Sequence, residues 1–174
     1  KSERHFPTFV SLRGAMQEEA VRFFIDLFQE NRPVLSLLDA DHSFVNGALA
    51  KHYGIPNVYG SQFRRINLGP EFDLRRGLLG KGALLTTTSK AERNSPVARG
   101  KWIMTNLLGV PPPDPPANVP PLPPRKTDVS GNTKEPTMRE KMLEHRTQGS
   151  SCVQCHRLMD PIGFSLENFD AIGL

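Results

Sequence analysis

The sequence is poor in cysteine, and the two cysteines that it has lie close together. Among 174 residues only Cys152 and Cys155 are present. Two cysteines exclude a disulfide framework and a four-cysteine zinc site. Any role for cysteine in this protein must therefore use a pair of thiols three residues apart.

Aromatic residues, long apolar runs and dense basic runs are also scarce. One Trp and two Tyr leave few rings to stack on bases, and the 22 basic and 18 acidic residues are spread along the chain. These features argue against nucleic-acid binding. The simplest interpretation of the +4 charge is a solvated surface, and the second is docking to an acidic redox partner. No run of 18 apolar residues occurs, so no transmembrane segment is expected.

Both ends of the sequence look cut. The first residues, "KSERHFPTFV", lack the apolar region of a signal peptide, and the last, "NFDAIGL", stop within a pattern. We therefore expect a chain that was processed or that is part of something longer.

Proline and glycine are abundant, with 16 and 14 residues, and predict much irregular backbone. The expected fold is mainly α, with short helices joined by long Pro/Gly-rich segments and a helical unit at the C-terminal end. We expect an N-terminal helical module at 1–60 and a second module at 61–174. Nine prolines between 111 and 124 predict an extended polyproline strap at 110–125.

Apolar spacing and capping residues predict four helices. The clearest, "LRGAMQEEAVRFFIDLFQEN", has an apolar stripe that includes Phe28 and ends before Pro33. "SFVNGALAKHYG" predicts a second helix, which Ser43 caps and Gly54 ends. "NSPVARGKWIMTNLLG" predicts a third, with Pro96 at its first position.

The fourth predicted helix, "TMREKMLEHRTQG", has a capping box formed by Thr137 and Glu140. "SQFRRINL" predicts a strand with Phe63 and Leu68 buried. "RRGLLGKGALLTTTS" lacks the Lys-Ser/Thr pair of a phosphate-binding loop, so its glycines favour a tight turn before a buried segment.

Cys152, Cys155 and His156 form a C-x-x-C-H motif. A structural zinc site would need four ligands, and the remaining histidines do not form an H-x₃₋₅-H pair. A thioredoxin-like pair would need a βαβ context, whereas here the motif follows a helix and a Gly-Ser-Ser turn. A disulfide across three residues would stabilise little. Covalent haem attachment uses every position, with two thioethers and His156 as the proximal iron ligand. A disulfide or an adventitious metal site stays open as an alternative.

The sequence alone does not identify the sixth iron ligand. Met138, Met142 and His145 are spaced four and three residues apart and share a helix face. Core packing is the simpler interpretation of the methionines. His145 is the first candidate ligand, Met142 is the second, and an open position would permit peroxide or oxygen chemistry.

The segment after the motif offers supporting contacts for the haem. The carbonyl of Pro161 or a neighbour is expected to accept the Nδ1–H of His156. Phe164, Leu166 and Phe169 are expected to pack against the porphyrin. We interpret Asp160, Glu167 and Asp170 as turn and cap residues, and no catalytic residue is predicted.

Four stretches, "RGLLGKGALL", "SPVARGKWIMTNLLGVPPPDPP", "TMREKMLEHR" and "CVQCHRLMDPIGFSLENFDAIG", together resemble uncharacterised modules of large exported proteins from Planctomycetes and related bacteria. Those modules occur in tandem, often beside a planctomycete-type cytochrome c domain. The stretch from Leu12 to Ile55 resembles the module that precedes them. In the family, a tryptophan-arginine pair and a further module follow the "DAIG" position.

The resemblance implies haem-dependent electron transfer. Cys152, Cys155 and His156 match the haem motif of the family. Arg139 and His145 match its "R…H" helix, which places His145 ahead of the methionines. Arg99 and Trp102 match its "RG-x-W" helix, in which a buried arginine could bind a haem propionate, although packing or a cap is the simpler role.

The expected function is that of a c-type cytochrome module with one haem c (iron), which transfers electrons to redox partner proteins or other haem subunits. Thioether attachment takes place outside the cytoplasm, so a periplasmic or extracellular location is expected. The alternative is an exported haem enzyme of the peroxidase or oxidase type with an open iron site. A structural module stapled by haem is a third possibility.

Overall fold

Short helices dominate the structure, which confirms the predicted mainly α class. This computed structural model describes residues 1–114, 137–146 and 150–174, with the side chains of 150–152 outside that description. Helix is the main secondary structure of the described residues, beside a small two-stranded sheet. In chain order the elements are α1 (Phe9–Gln29), α2 (Ser36–Asp39), β1 (His42–Val45), α3 (Gly47–Tyr53), β2 (Arg64–Asn67), a 3₁₀ turn (Pro70–Arg75), α4 (Gly82–Thr87), α5 (Pro96–Asn106), α6 (Met138–Arg146) and α7 (Ser150–Phe164).

The chain forms two compact units. The first comprises Lys1–Ser95 and Leu166–Leu174, and the second comprises Pro96–Ser165. These units describe packing, whereas the predicted modules at 1–60 and 61–174 describe sequence organisation, so that boundary stays a prediction. Most of the predicted proline strap, from 115 onwards, lies outside the described residues. Within the described part of the chain, no helix is both long enough and apolar enough to cross a bilayer.

Helix α1 supplies the core of the first unit. The buried residues Leu12, Met16, Phe23 and Leu27 recur at helical spacing, as predicted. Phe28, predicted to lie on the same stripe, is 81 % exposed. It lies one position beyond Leu27 in the last turn of the helix, so its side chain points away from the buried stripe.

A two-stranded antiparallel sheet packs beside α1, with His42 opposite Asn67 and Val45 opposite Arg64. The strand predicted in "SQFRRINL" is confirmed over Arg64–Asn67; Leu68 is buried as expected, whereas Phe63 is only half-buried. The predicted cap at Ser43 is wrong, because Ser43 lies within β1. The side chain that caps α3 belongs to Asn46, whose oxygen accepts a hydrogen bond from the Leu49 amide at 2.9 Å.

Two glycines lie at turns that the sequence predicted. Gly54 follows α3 with φ +74°, a left-handed conformation that favours glycine. Gly77 turns the chain with φ +59° ahead of α4, where Leu84 and Leu85 are buried. The glycine-rich stretch is therefore a turn that leads into a buried helix.

A buried polar network crosses the first unit. Glu19 of α1 accepts hydrogen bonds from Ser43 at 2.5 Å and Tyr53 at 2.7 Å, and Lys81 donates to Ser43 at 3.0 Å. Glu19 and Lys81 are each 1 % exposed, and the Lys81 ammonium lies 4.0 Å from the Glu19 carboxylate. Burial lowers the pKa of Lys81 to about 8, with Glu19 opposing that shift. The network joins three parts of the chain that are distant in sequence.

Helices α5, α6 and α7 form the second unit. The third predicted helix is confirmed as α5, which starts at Pro96. The predicted capping box of α6 is also confirmed. The Glu140 amide donates a hydrogen bond to Thr137 Oγ1 at 3.2 Å, and the Thr137 amide donates one to the Glu140 carboxylate at 2.6 Å.

Glycines allow α5 and α7 to pack backbone against backbone. A Cβ atom at Gly163 would overlap the carbonyl oxygen of Pro96, and one at Gly100 would overlap the carbonyl oxygen of Met159. Both contacts fall inside the 3.0 Å that real Cβ atoms respect. This close approach fixes the half of α7 that follows the C-x-x-C-H motif.

Candidate functional site

The C-x-x-C-H motif lies in the first turns of α7. Cys152, Cys155 and His156 occupy positions i, i+3 and i+4 of one helix, so the second and third positions each lie about one turn from the first. The expectation that the motif follows a Gly-Ser-Ser turn needs correction, because α7 begins at Ser150 and the motif is helical. Cys155 is half-buried and is a free cysteine. The helix thus fixes the spacing of the three positions.

His156 is held by a carboxylate one helical turn away. Its Nδ1 lies 2.8 Å from Oδ1 of Asp160, which is 0 % exposed. We expected a backbone carbonyl near Pro161 in this role and interpreted Asp160 as a turn residue. Both expectations are wrong. Helix α7 continues through Pro161 to Phe164, which places the Asp160 side chain directly along the helix from His156.

His145, in the last turn of α6, faces His156. The two ring centroids lie 5.5 Å apart with the ring planes at 76°. His145 is 5 % exposed, and its Nδ1 has no hydrogen-bond partner within the described part of the chain. Helices α6 and α7 therefore bring together the two histidines that the sequence singled out, although they are eleven residues apart.

A cation completes the polar side of the site. Arg146 Nε lies 3.9 Å from Asp160 Oδ2, and the Arg146 side chain is 29 % exposed. The Oδ2 atom has no hydrogen bond to any described residue. One oxygen of the Asp160 carboxylate is therefore hydrogen-bonded to His156, and the other forms only a longer ion pair with Arg146.

The other predicted site residues have different surroundings. Met142 is buried in α6, which suits the packing role favoured by the sequence. Arg99 is 1 % exposed in α5, and its predicted contact with a propionate stays a prediction. The Arg139 guanidinium lies 4.5 Å from the centroid of the Phe164 ring. Among described residues, no group of three or more His, Cys, Asp or Glu side chains is arranged to hold a metal ion.

Residues 166–174 belong to the first unit. The Phe169 ring lies 4.9 Å from the Arg75 guanidinium, and Leu166 is buried. The Asp170 carboxylate accepts hydrogen bonds from the amides of Ile172 and Leu174, both at 2.8 Å, which confirms its predicted turn role. The expected packing of Leu166 and Phe169 on a porphyrin stays a prediction.

Two residues of this site escaped the sequence reasoning. Arg146 lay next to His145 without any distinguishing pattern. Asp160 did carry a signal, because it follows His156 by four residues, but the Asp-Pro pair favoured a turn there. The i, i+4 spacing would have identified it had the helix been expected to continue.

Two family models match this chain. The first, described as "PSCyt3: Protein of unknown function (DUF1588)", matches residues 75–174, and the second, "PSD4: Protein of unknown function (DUF1592)", matches residues 1–55. Both are planctomycete-type cytochrome-associated domain families. No curated protein and no solved structure matches the chain. Because the first match covers more than half of the sequence, the chain belongs to the PSCyt3 (DUF1588) family.

Proposed function

We propose that this chain is a c-type cytochrome module that carries one covalently attached haem and transfers electrons within a larger exported protein or complex. The observation that carries the proposal is the opposition of His145 and His156 beside the C-x-x-C pair. A periplasmic or extracellular location is part of the proposal, because thioether attachment takes place outside the cytoplasm.

The described residues fit such a group. Two imidazoles on one iron have ring centroids roughly 6 Å apart, since each metal–nitrogen bond is about 2 Å long, and the observed separation is 5.5 Å. Asp160 engages Nδ1 of His156, so Nε2 is the nitrogen that would bind iron. His145 offers a buried imidazole whose Nδ1 lacks a partner in the described ranges. Cys155 offers a free thiol at the position next to His156 on α7.

Each residue has a separate task in this proposal. Cys152 and Cys155 would hold the group covalently, and His156 and His145 would bind its iron, with His145 excluding other ligands. When bound, haem supplies a one-electron iron couple. The task of the chain's own residues would be to hold that couple between its redox partners, with no bond made or broken. Because both His145 and His156 would bind the iron, electron transfer is favoured over peroxide or oxygen chemistry, which would need an open position on the iron.

The test is an optical spectrum of the protein matured in a host that attaches haem c, recorded oxidised and reduced. We expect covalently bound haem, a low-spin ferric spectrum and sharp α and β bands on reduction. His145→Ala should convert the ferric spectrum to high spin and permit cyanide binding, whereas Met142→Leu, at a buried position of the same helix, should not.

Other outcomes would contradict the proposal in distinct ways. A protein that retains no haem after denaturation would refute the cytochrome function. A wild-type ferric spectrum that is high spin and shifts with peroxide would favour the haem-enzyme alternative. A near-infrared band typical of methionine ligation, lost in Met142→Leu, would move the sixth ligand from His145 to Met142.

A further inference from the structure

We propose that Asp160 lowers the reduction potential of the iron held by His156, and that Arg146 limits the size of this effect. The inference rests on the proposed function, since it concerns the haem that His156 would bind. It goes beyond that function by assigning two residues that adjust the potential at which the site takes up and releases its electron.

The first step is the hydrogen bond itself. Asp160 Oδ1 lies 2.8 Å from His156 Nδ1, and both residues are on α7, one turn apart. The helix therefore holds donor and acceptor in register whether or not a partner protein is present. A carboxylate acceptor fixes the imidazole orientation and makes the opposite nitrogen a stronger electron donor to a metal.

The second step is the burial of the charge. Asp160 is 0 % exposed, so water does not screen its carboxylate from the ring that it contacts. Charge interactions in such surroundings are several times stronger than in bulk water. A nearby negative charge stabilises ferric iron more than ferrous iron, because the ferric form carries one more positive charge. A backbone carbonyl in the same place would orient the ring but would bring no net charge.

The third step is the counter-charge. Arg146 Nε lies 3.9 Å from Asp160 Oδ2, without a hydrogen bond at that oxygen from any described residue. The cation offsets part of the carboxylate's field at His156. Because Arg146 is 29 % exposed, solvent screens it more than it screens Asp160. The net electrostatic potential of these two charges at His156 is therefore negative.

The two residues predict potential shifts of opposite sign. Asp160→Asn keeps a side-chain oxygen that can accept from Nδ1 but removes the charge, so the potential should rise. We expect at least a tenfold change in the ferric-to-ferrous ratio at a fixed applied potential, which is 59 mV for one electron. Arg146→Gln should lower the potential, by roughly threefold in the same ratio, because its charge is more distant and more exposed.

The experiment is a spectroelectrochemical titration of the full chain with its haem attached. Asp114→Asn is the matched control, since it makes the same substitution at an exposed position of the same unit. Loss of structure alone would admit water to the site and favour the ferric form, which lowers the potential. A rise in Asp160→Asn therefore separates the charge effect from general loosening.

The outcomes are distinct from those of the proposed function. A wild type without covalent haem refutes the function before any potential is measured. With haem attached, an Asp160→Asn potential equal to or below that of Asp114→Asn overturns the role of Asp160. If Asp160→Asn yields no holoprotein, Arg146→Gln decides, because a fall in potential supports the inference and an unchanged or raised potential overturns it.

Discussion

Replacing Gly163 with alanine tests the packing of the second unit directly. The new Cβ would overlap the carbonyl oxygen of Pro96, and its contacts to Pro96 are with backbone, which has no rotamer to change. Helices α5 and α7 would have to move apart by on the order of 1 Å, and a gap of that size forfeits up to half of the dispersion energy across the contact.

The net cost can be worked from two opposing terms. Overpacking of a well-packed contact costs up to about 3 kcal/mol. Alanine recovers about 1 kcal/mol through its better helix propensity. We therefore expect the free energy of unfolding of the second unit to fall by about 2 kcal/mol. For a unit of about 70 residues this lowers the midpoint temperature by roughly 10 °C.

The assay is thermal and urea unfolding followed by fluorescence. Trp102 is the only tryptophan of the chain and lies in α5, so its signal reports on the second unit. Gly14→Ala is the control, because Gly14 is within α1 and a Cβ there meets nothing within 4 Å. Far-ultraviolet circular dichroism should show a gain of up to about 1 kcal/mol for that variant. A Gly163→Ala protein as stable as wild type would refute the described contact of α5 with α7.

Three further predictions concern the first unit. Lys81→Met should lower the free energy of unfolding at pH 7 by about 3 kcal/mol, since Glu19 is left buried without its cation. Adding Glu19→Gln should recover part of that loss in urea unfolding. A double variant no more stable than Lys81→Met alone would contradict the pairing of Lys81 with Glu19. The pKa of Lys81 falls from 10.5 to about 8 on folding, so between those pH values the unfolded chain binds more protons than the folded one. The free energy of unfolding should therefore rise with pH across that window. Urea titrations from pH 8 to 10 should show this rise, which Lys81→Met should reduce and Lys90→Met, at an exposed site, should leave unchanged. Asn46→Ala should cost about 1 kcal/mol through loss of the α3 cap, and an unchanged urea midpoint would argue against that cap.

Features of the fold with local causes were predictable from the sequence. The apolar stripe of α1, the proline at the start of α5 and the capping box of Thr137 and Glu140 depend on residues within four positions of one another. The same holds for Gly54, whose left-handed conformation follows from its place after a helix. Such local signals do not depend on contacts with distant parts of the chain.

Features with distant causes were not predictable in this way. Glutamate is a residue type usually found at the surface, yet Glu19 is buried because Ser43, Tyr53 and Lys81 reach it from other elements. Ser43 suits a cap by residue type, but strand pairing with Ile66 takes it into β1 instead. Tertiary partners overrode local preference in both cases.

The candidate site divides along the same line. The spacing of Cys152, Cys155 and His156 was visible in the sequence. The approach of His145 to His156 follows from the packing of α6 on α7, and its ligand role stays a prediction. The Asp160 contact was missed because proline normally ends a helix, whereas α7 continues through Pro161.

The division of the chain into units has a consequence for unfolding. Residues 166–174 return to the first unit, where Asn94 Nδ2 donates to Phe169 O at 3.3 Å and Arg75 donates to Gly173 O at 2.6 Å. While the first unit is folded, the two ends of the second are tied together like those of a loop closed by a crosslink. Such a closure removes roughly 4 kcal/mol of chain entropy from an unfolded segment of about 70 residues. The folded first unit thus stabilises the second without a covalent bond, and unfolding the first unit would lower the stability of the helices that carry the histidine pair.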